Sequence, residues 1–255
     1  MIWRTVSIIV LLLLLWNAVK WFMFRQQARA LSVESAQWPT TYDVGSRDRS
    51  PLLYVVLGDS TALGTGASHR EGSYAYQVAD ALARDRFVRV VNLAVVGARI
   101  ADVVTRQVPQ LSLLKPDVIS VSVGANDAAH ATPSSEYQHS LDALVRSLQE
   151  SSASVVLFAN TPNMSFVPSL PVVVRQRIGS RAARQNVLLS TVLAGSSAQI
   201  RLVDLYGKGQ LNAKENPAYY ARDQYHPADA GYAVWARIFA DTAREIRSPR
   251  FFEGA

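Results

Sequence analysis

The chain has 255 residues, of which 49% are apolar, and this is enough for one folded domain with a short additional segment. It contains no cysteine, which excludes disulfides, thiolate metal sites and a cysteine nucleophile. The net charge is +6, with six Lys and Arg against three Asp and Glu in residues 1–50. The sequence has no basic run or stripe, so we expect no nucleic-acid partner.

Residues 1–24 are predicted to form an apolar helix that acts as a membrane anchor or a signal segment. Twenty residues lie between Arg4 and Arg25, and Lys20 is the only charged one among them. This length spans a bilayer if the lysine side chain extends to the interface. The alternative is a cleaved signal peptide, because residues 28–30 have the small-x-small form of a cleavage site. We expect the folded domain outside the cytoplasm, either anchored or secreted after cleavage.

The remaining chain is predicted to contain a linker, one domain and a tail. Residues 25–50 are polar and contain Ser, Thr, Pro and Gly, a composition that is typical of a linker. Residues 51–247 are expected to form the folded domain, and residues 248–255 a C-terminal tail.

Within residues 51–247, short apolar runs alternate with longer helical patterns. The predicted strands are Leu52–Leu57, Val88–Val95, Val118–Val123, Val155–Ala159 and Ile200–Leu205. The predicted helices are Ser73–Arg84, Ala101–Leu114, Ser134–Gln149, Pro171–Ala194 and Pro227–Ile246. Continuous apolar strands separated by helices predict an α/β fold with a five-stranded parallel sheet covered on both faces. In such folds, functional residues gather beyond the carboxyl ends of the strands.

Four short motifs fall after the first three strands and before the last helix. They are Gly58-Asp59-Ser60, Gly97, Gly124-Ala125-Asn126-Asp127 and Asp223-Gln224-Tyr225-His226. Taken singly, each has an ordinary structural interpretation, such as a strand-to-helix turn, an Asx turn or a helix start. Gly64 and Gly66 would also suit a phosphate-binding loop, but no Gly-Lys-Ser/Thr follows them.

In this combination and order, the motifs resemble the four blocks of the SGNH (GDSL-type) hydrolase superfamily, over about residues 52–246. The first block reads Gly-Asp-Ser-Thr, with Thr61 where the GDSL name has leucine. The His226-Pro227 ending is most similar to the small bacterial lysophospholipase/thioesterase-like esterases. The resemblance implies a three-layer α/β/α sandwich of flavodoxin-like type. It also implies a serine ester hydrolase of carboxylesterase or lipase type, without a cofactor.

The residue types of these motifs suit chemistry through an acyl-serine intermediate. Ser60 is the expected nucleophile, and His226 is the natural base because imidazole titrates near neutral pH. Asp223, three residues earlier, can fix the tautomer of the imidazole and stabilise its charged form. By resemblance, the oxyanion hole consists of the backbone N–H groups of Ser60 and Gly97 and the side-chain amide of Asn126.

Three polar residues near the motifs are predicted to support these loops by hydrogen bonds to the backbone: Asp59, Asn92 and Asp127. The other histidines lack the spacing of metal ligands, so no metal site is expected. The loop from Thr161 to Pro171 allows two interpretations. Its apolar residues either pack under a long connection or form an acyl-binding wall through Met164, Phe166 and Val167.

The expected substrate is a small-molecule or lipid acyl ester, with the membrane as a partner through the N-terminal segment. One alternative is an acyltransferase, in which an alcohol resolves the acyl-serine. Another is an O-acetyl esterase that acts on cell-envelope polysaccharide or lipid. A third alternative is a catalytically silent binding module on the same fold. The sequence leaves the oligomeric state open.

Overall fold

The computed structural model describes residues 2–197 and 199–244. Within this part, the strands are β1 Thr41–Val44, β2 Pro51–Gly58, β3 Phe87–Asn92, β4 Val118–Ser122, β5 Val155–Ala159 and β6 Ile200–Val203. The α-helices are α1 Ile2–Ala36, α2 Ser60–Leu63, α3 Tyr74–Leu82, α4 Ile100–Asp102, α5 Leu111–Leu114, α6 Ala125–His130, α7 Ser134–Gln149, α8 Val172–Ala194 and α9 Asp229–Arg244. Short 3-10 or π turns occur at Arg70–Gly72, Val103–Gln107, Val108–Gln110, Met164–Phe166 and Pro217–Tyr219.

The six strands form one sheet in the order β1-β3-β2-β4-β5-β6. The strands β2 to β6 are parallel, and among themselves they have the flavodoxin-like order 2-1-3-4-5. The predicted α/β sandwich is therefore confirmed. The strand order reverses at β2, so the carboxyl ends of β2, β3 and β4 lie side by side at the point where such folds bind ligands.

The predicted number of strands is too low by one, because β1 adds an antiparallel edge strand next to β3. This strand has only four residues, of which Val44 alone is buried. Asp43 lies opposite Arg89 in the register, and the two side chains form an ion pair at 2.9 Å. A short edge strand with charged side chains does not have the apolar run by which the buried strands are recognised.

Residues 25–50, which were predicted as a linker, contain regular structure over much of their length. Helix α1 continues through Ala36, and β1 follows within the same segment. Leu31 and Ser35 are buried, at 5% and 1% exposure, because they lie on one face of the helix and contact the domain. In the part of the chain described, no helix combines the length and apolar character required to cross a membrane. The predicted tail, residues 248–255, lies outside the described residues.

The core consists of two layers of side chains, one on each face of the sheet. On one face, the ring of Tyr74 in α3 stacks on Phe239 of α9, with the ring centroids 4.6 Å apart. On the other face, α7 buries Leu141, Leu144 and Leu148 completely. Full burial of a large apolar side chain contributes about 1.5–3 kcal/mol. The two layers hold the parallel strands rigidly and leave their carboxyl ends for the loops of the site.

The predicted helix from Ala101 to Leu114 consists of shorter pieces. Its central turn, Val103–Gln107, is a π-helical turn, and Pro109 lies in the 3-10 turn that follows. Proline has no N–H for a helical hydrogen bond, so its position explains part of the interruption. A π turn moves the residues after it around the helix axis, and such turns are frequent at functional sites.

Candidate active site

Ser60 is brought to the carboxyl edge of the sheet by a tight turn after β2. Gly58 has φ +141°, and a Cβ atom there would lie 2.0 Å from the backbone oxygen of Ser122 on β4. Only glycine fits this close approach of the two strands. Asp59 then caps α2, since its Oδ1 accepts hydrogen bonds from the backbone N and the Oγ1 of Thr61, at 2.9 and 2.8 Å. Ser60 is the first residue of α2, where a backbone N–H has no acceptor within the helix.

The side chains of Ser60, His226 and Asp223 form a continuous hydrogen-bonded chain. The Ser60 Oγ lies 3.1 Å from His226 Nε2, and His226 Nδ1 lies 2.6 Å from Asp223 Oδ2. All three side chains are buried. A carboxylate that accepts from Nδ1 keeps the proton on that nitrogen, and this leaves Nε2 free to accept from the serine hydroxyl.

The Asp223 carboxyl is also fixed by the backbone of its own loop. Its Oδ1 accepts from the N–H groups of Tyr225 and His226, both at 3.0 Å. Burial raises the pKa of Asp223, but the hydrogen bond and charge of His226 together with these backbone donors lower it by more, so the pKa lies below its ordinary value. Asp223 is therefore ionised at neutral pH and oriented toward the imidazole.

Gly66 allows the loop of His226 to pack closely against the loop of Ser60, because it has no side chain. It has φ +101°, and a Cβ atom there would lie 2.4 Å from the backbone oxygen of Pro227 and 2.9 Å from the Cβ of His226. Thr65, next to it, donates its N–H to the backbone oxygen of Ser60 at 2.9 Å. The two glycines after the first motif thus permit loop packing, and the phosphate-loop interpretation has no support.

Gly97 and Asn126 lie at the ends of the neighbouring strands, as predicted. Gly97 is exposed with φ +80°, and no atom lies within 4 Å of the position that a Cβ would take. Asn126 is in the first turn of α6, and its Nδ2 donates to the backbone oxygen of Ala98 at 3.1 Å and to Asp59 Oδ2 at 3.4 Å. Its amide therefore has one short and one long hydrogen bond.

Asn92 and Asp127 hold the backbone next to these residues. Asn92 Nδ2 donates to the backbone oxygen of Ala62 in α2 at 2.9 Å, and its Oδ1 accepts from the N–H of Ala94 at 3.0 Å. Asp127 Oδ2 accepts from the N–H of Ile100 at 3.0 Å. Burial raises the pKa of Asp127, and these hydrogen bonds are the structural contacts expected of a supporting residue.

Among the residues that the structure describes, no cationic side chain is hydrogen-bonded to the buried carboxyl of Asp59. Burial raises its pKa to about 6, against the lowering effect of the hydrogen bonds from Thr61. Because it also accepts from Asn126, the charge of Asp59 bears on how firmly the amide of Asn126 is held.

A pocket opens beside Ser60 and His226. Met164 and Val167 line it and are buried, whereas Phe166 is half-buried and is not part of the lining. The apolar wall is thus formed by two of the three residues expected. The two interpretations of this loop are also compatible, because Met164 and Val167 belong to a small apolar cluster with Ile178 of α8.

Some residues of the site carried no signal in the sequence. Gln107, in the π turn, accepts from the N–H of Gly58 at 2.8 Å and donates to its carbonyl oxygen at 2.9 Å, so it holds the end of β2. Asn160 and Thr161 follow β5 and line the pocket. The rule that places functional residues after parallel strands would have found Asn160, which ends an apolar run. Gln107 lies within a helical pattern and no spacing identifies it.

A model of the GDSL-like lipase/acylhydrolase family matches residues 56–234. The chain therefore belongs to this family, and the resemblance inferred from the four motifs is confirmed. Family membership makes it an SGNH-type ester hydrolase. No curated protein matches the chain at a significant level.

Several solved structures have a similar fold. An acetylxylan esterase from Geobacillus stearothermophilus is 21% identical, with a TM-score of 0.55, over 80% of this chain and 97% of that one. The psychrotrophic esterase EstA from Pseudoalteromonas sp. is 16% identical, with a TM-score of 0.56, over 76% and 97%. TesA is 20% identical, with a TM-score of 0.59, over 76% and 98%. At these identities, the likeness shows a shared fold.

Proposed function

We propose that Ser60, His226 and Asp223 are the catalytic triad of this ester hydrolase. The observation that carries the proposal is the hydrogen-bonded chain from Ser60 Oγ through the imidazole to Asp223, at 3.1 and 2.6 Å. Ser60 and His226 line a pocket, and Ser60 follows β2 at the switch point of the sheet. A serine hydroxyl needs such a base, since it is a poor nucleophile on its own.

The reaction proceeds in two balanced halves. Ser60 Oγ attacks the ester carbonyl carbon while its proton moves to His226 Nε2, and a tetrahedral oxyanion forms. The oxyanion collapses, the bond to the alcohol breaks, and His226 returns the proton to the departing alcohol. Water then attacks the acyl carbon while its proton moves to His226 Nε2. The bond from that carbon to Ser60 Oγ breaks, His226 returns the proton to Ser60 Oγ, and the acid is released. Asp223 stays ionised throughout and stabilises the imidazolium.

The oxyanion is stabilised by the N–H groups of Ser60 and Gly97 and by the amide of Asn126. The first position of α2 leaves the Ser60 N–H without a helical acceptor, and the space in front of Gly97 is open. Asn126 can turn one N–H to the oxyanion by giving up its 3.4 Å hydrogen bond to Asp59 while keeping that to Ala98. Each such donor raises kcat by a factor of about 10²–10³.

The acyl group of the substrate lies against the apolar wall of Met164 and Val167, with Leu211 and Trp235 further along the pocket lining. An apolar lining with a few polar groups at one end suits an acyl chain with its carbonyl at Ser60. The acetylxylan esterase of similar fold acts on acetyl groups, and so removal of acetyl groups from a polysaccharide is the second candidate for this chain.

The test is hydrolysis of p-nitrophenyl esters from acetate to decanoate by the full chain. We expect Ser60→Ala to lower kcat by at least about 10³-fold on every ester. Ser180→Ala is the matched control, because Ser180 is exposed on α8, and its rates should equal those of the parent. Equal rates of Ser60→Ala and the parent would refute the proposal. The dependence on chain length distinguishes an acetyl esterase from a lipid esterase, and a requirement for an added alcohol would indicate acyl transfer.

For the N-terminal segment, we propose that it is retained in the mature chain. The support is that α1 remains helical beyond the apolar stretch and that its residues contact the domain. Secretion after cleavage near Ala30 is the alternative, and it would remove Phe24, whose ring lies 5.6 Å from that of Tyr225. The mass of the mature protein distinguishes the two: the uncleaved chain supports retention, and a chain that begins at Leu31 contradicts it.

A further inference from the structure

The second half of α1 is packed on the domain along one face of the helix. Phe24, Leu31 and Ser35 lie on this face, spaced as a helix requires for residues of one side. Leu31 is 5% exposed and Ser35 is 1% exposed, whereas Phe22, only two residues from Phe24, is 62% exposed. Trp38, after the end of α1, reaches to within 3.0 Å of the Cβ position at Gly64. We call residues 24–38 the docked segment.

The docked segment contacts the two loops that carry the proposed triad. The ring of Phe24 packs on Tyr225, with centroids 5.6 Å apart, and Glu34 forms an ion pair with Arg222. Arg222 directly precedes Asp223 in the chain, and Tyr225 directly precedes His226. On the serine side, Ser35 Oγ is hydrogen-bonded to Thr65 Oγ1 at 2.8 Å, in a buried position.

The loop of His226 depends on contacts from outside itself. Gln224 has φ +54°, a left-handed conformation that is unfavourable for a residue with a side chain, at a cost of about 1 kcal/mol or more. One external contact is the hydrogen bond from the N–H of Ser169 to the carbonyl oxygen of Gln224, at 3.1 Å. The docked segment supplies further contacts, at the residues on either side of Gln224.

Tyr225 connects the docked segment to the imidazole. Its ring packs edge-on against that of His226, with centroids 5.1 Å apart and an interplanar angle of 74°. Phe24 lies on Tyr225 in turn. The order Phe24, Tyr225, His226 is thus a line of packed rings that ends at the base, so the position of one helix side chain limits the movement of the imidazole.

We propose that the docked segment of α1 is a positioning element of the active site and that Phe24 is its principal positioning residue. The inference rests on the proposed function, because it assigns to Phe24 the task of holding His226 in reach of Ser60. Phe24 does not line the pocket. It therefore acts through Tyr225, which lines the pocket beside His226, and we expect the larger effect on the rate of the chemical step.

The experiment compares Phe24→Ala with Phe22→Ala in the full chain. The two variants remove the same side chain from the same helix, but only Phe24 contacts Tyr225. We expect Phe24→Ala to lower kcat by roughly tenfold with KM within about twofold of the parent, because the imidazole loses part of its positioning. Phe22→Ala should match the parent, and Phe24→Leu, which keeps an apolar contact, should recover most of the activity.

A second readout is independent of activity. Amide hydrogen exchange of peptides that cover residues 220–227 should be faster by roughly tenfold in Phe24→Ala than in Phe22→Ala, with unchanged exchange in the core strands. Should Phe24→Ala fail to fold, the pair of Glu34→Arg and Arg222→Glu replaces it. Each single charge reversal should speed exchange of this loop by roughly threefold, and the double variant should restore it.

The outcomes separate the two claims. If Phe24→Ala and Phe22→Ala have equal kcat and equal loop exchange, the positioning role is overturned. If Ser60→Ala loses activity in the same experiment, the proposed triad is unaffected by that result. Faster loop exchange in Phe24→Ala in a chain whose activity does not depend on Ser60 would overturn the triad alone. A rise in KM at constant kcat in Phe24→Ala would also overturn the inference, since it would make Phe24 part of the binding surface.

Discussion

Replacement of Gly66 by alanine tests whether the close approach of two loops sets the distance between Ser60 and His226. The added Cβ would lie 2.4 Å from the carbonyl oxygen of Pro227 and 2.9 Å from the Cβ of His226. An ordinary contact needs about 3.4 Å, so the loop of His226 must retreat by about 1 Å. The hydrogen bond of 3.1 Å between His226 Nε2 and Ser60 Oγ would then lengthen to about 4 Å, beyond hydrogen-bond reach.

A displacement of this size lowers kcat by about 10²-fold. The left-handed φ of +101° at Gly66 adds a cost in stability of about 1–2 kcal/mol for alanine. The assay is steady-state hydrolysis of p-nitrophenyl acetate, with thermal unfolding measured on the same samples. Gly195→Ala is the control, since its φ is −94° and its Cβ position lies 3.8 Å from the nearest atom outside its chain neighbours. A folded Gly66→Ala with kcat within about twofold of the parent would refute this reasoning.

Two further predictions concern the buried carboxyl and the pocket wall. Asp59 has a pKa of about 6 in the folded chain and about 3.9 in the unfolded chain. Because the folded chain binds the proton of this carboxyl more tightly, the free energy of unfolding falls as pH rises from about 3.9 to about 6. Asp59→Asn removes this fall, which amounts to about 2 kcal/mol between about pH 4 and about pH 7. Urea unfolding at these two pH values should therefore give a variant-minus-parent difference that grows by about 2 kcal/mol, and a difference that stays constant would contradict the raised pKa of this buried carboxyl. Met164→Ala should raise KM for decanoate by roughly tenfold and leave acetate unaffected, whereas Phe166→Ala, off the lining, should change neither. Equal effects of Met164→Ala on both esters would show that this wall does not hold the acyl chain.

The sequence was sufficient to predict the parallel part of the fold. The strands β2 and β5 are apolar over nearly their whole length, because helices cover both faces of the sheet, and this pattern is visible without any tertiary information. Ser60, Gly97 and Asn126 lie after adjacent strands, because the carboxyl ends of parallel strands meet at one edge of the sheet. The positions of these residues could therefore be predicted, while the distance of 3.1 Å from Ser60 to His226 could not.

What the sequence did not predict depends on contacts between distant segments. Strand β1 is short and charged, so its pairing with β3 is set by the sheet edge that β3 offers. The docked segment is polar in composition, and its buried face is evident only once its partners Thr65 and Tyr225 are in place. Met164, Phe166 and Val167 were all expected in the pocket because of their apolar side chains, but Phe166, at the end of the 3-10 turn Met164–Phe166, is not among the lining residues.

Covalent labelling of the nucleophile tests the proposed triad most directly. The full chain is treated with a p-nitrophenyl alkylphosphonate, which transfers its phosphonyl group to an activated serine with release of p-nitrophenol. Peptide mass analysis then locates the adduct, with Ser60→Ala and His226→Gln treated in parallel. We expect one adduct per chain, on Ser60. It should be absent from Ser60→Ala and form at least about 10²-fold more slowly in His226→Gln. An adduct on another serine, or equal labelling of Ser60 in His226→Gln, would contradict it.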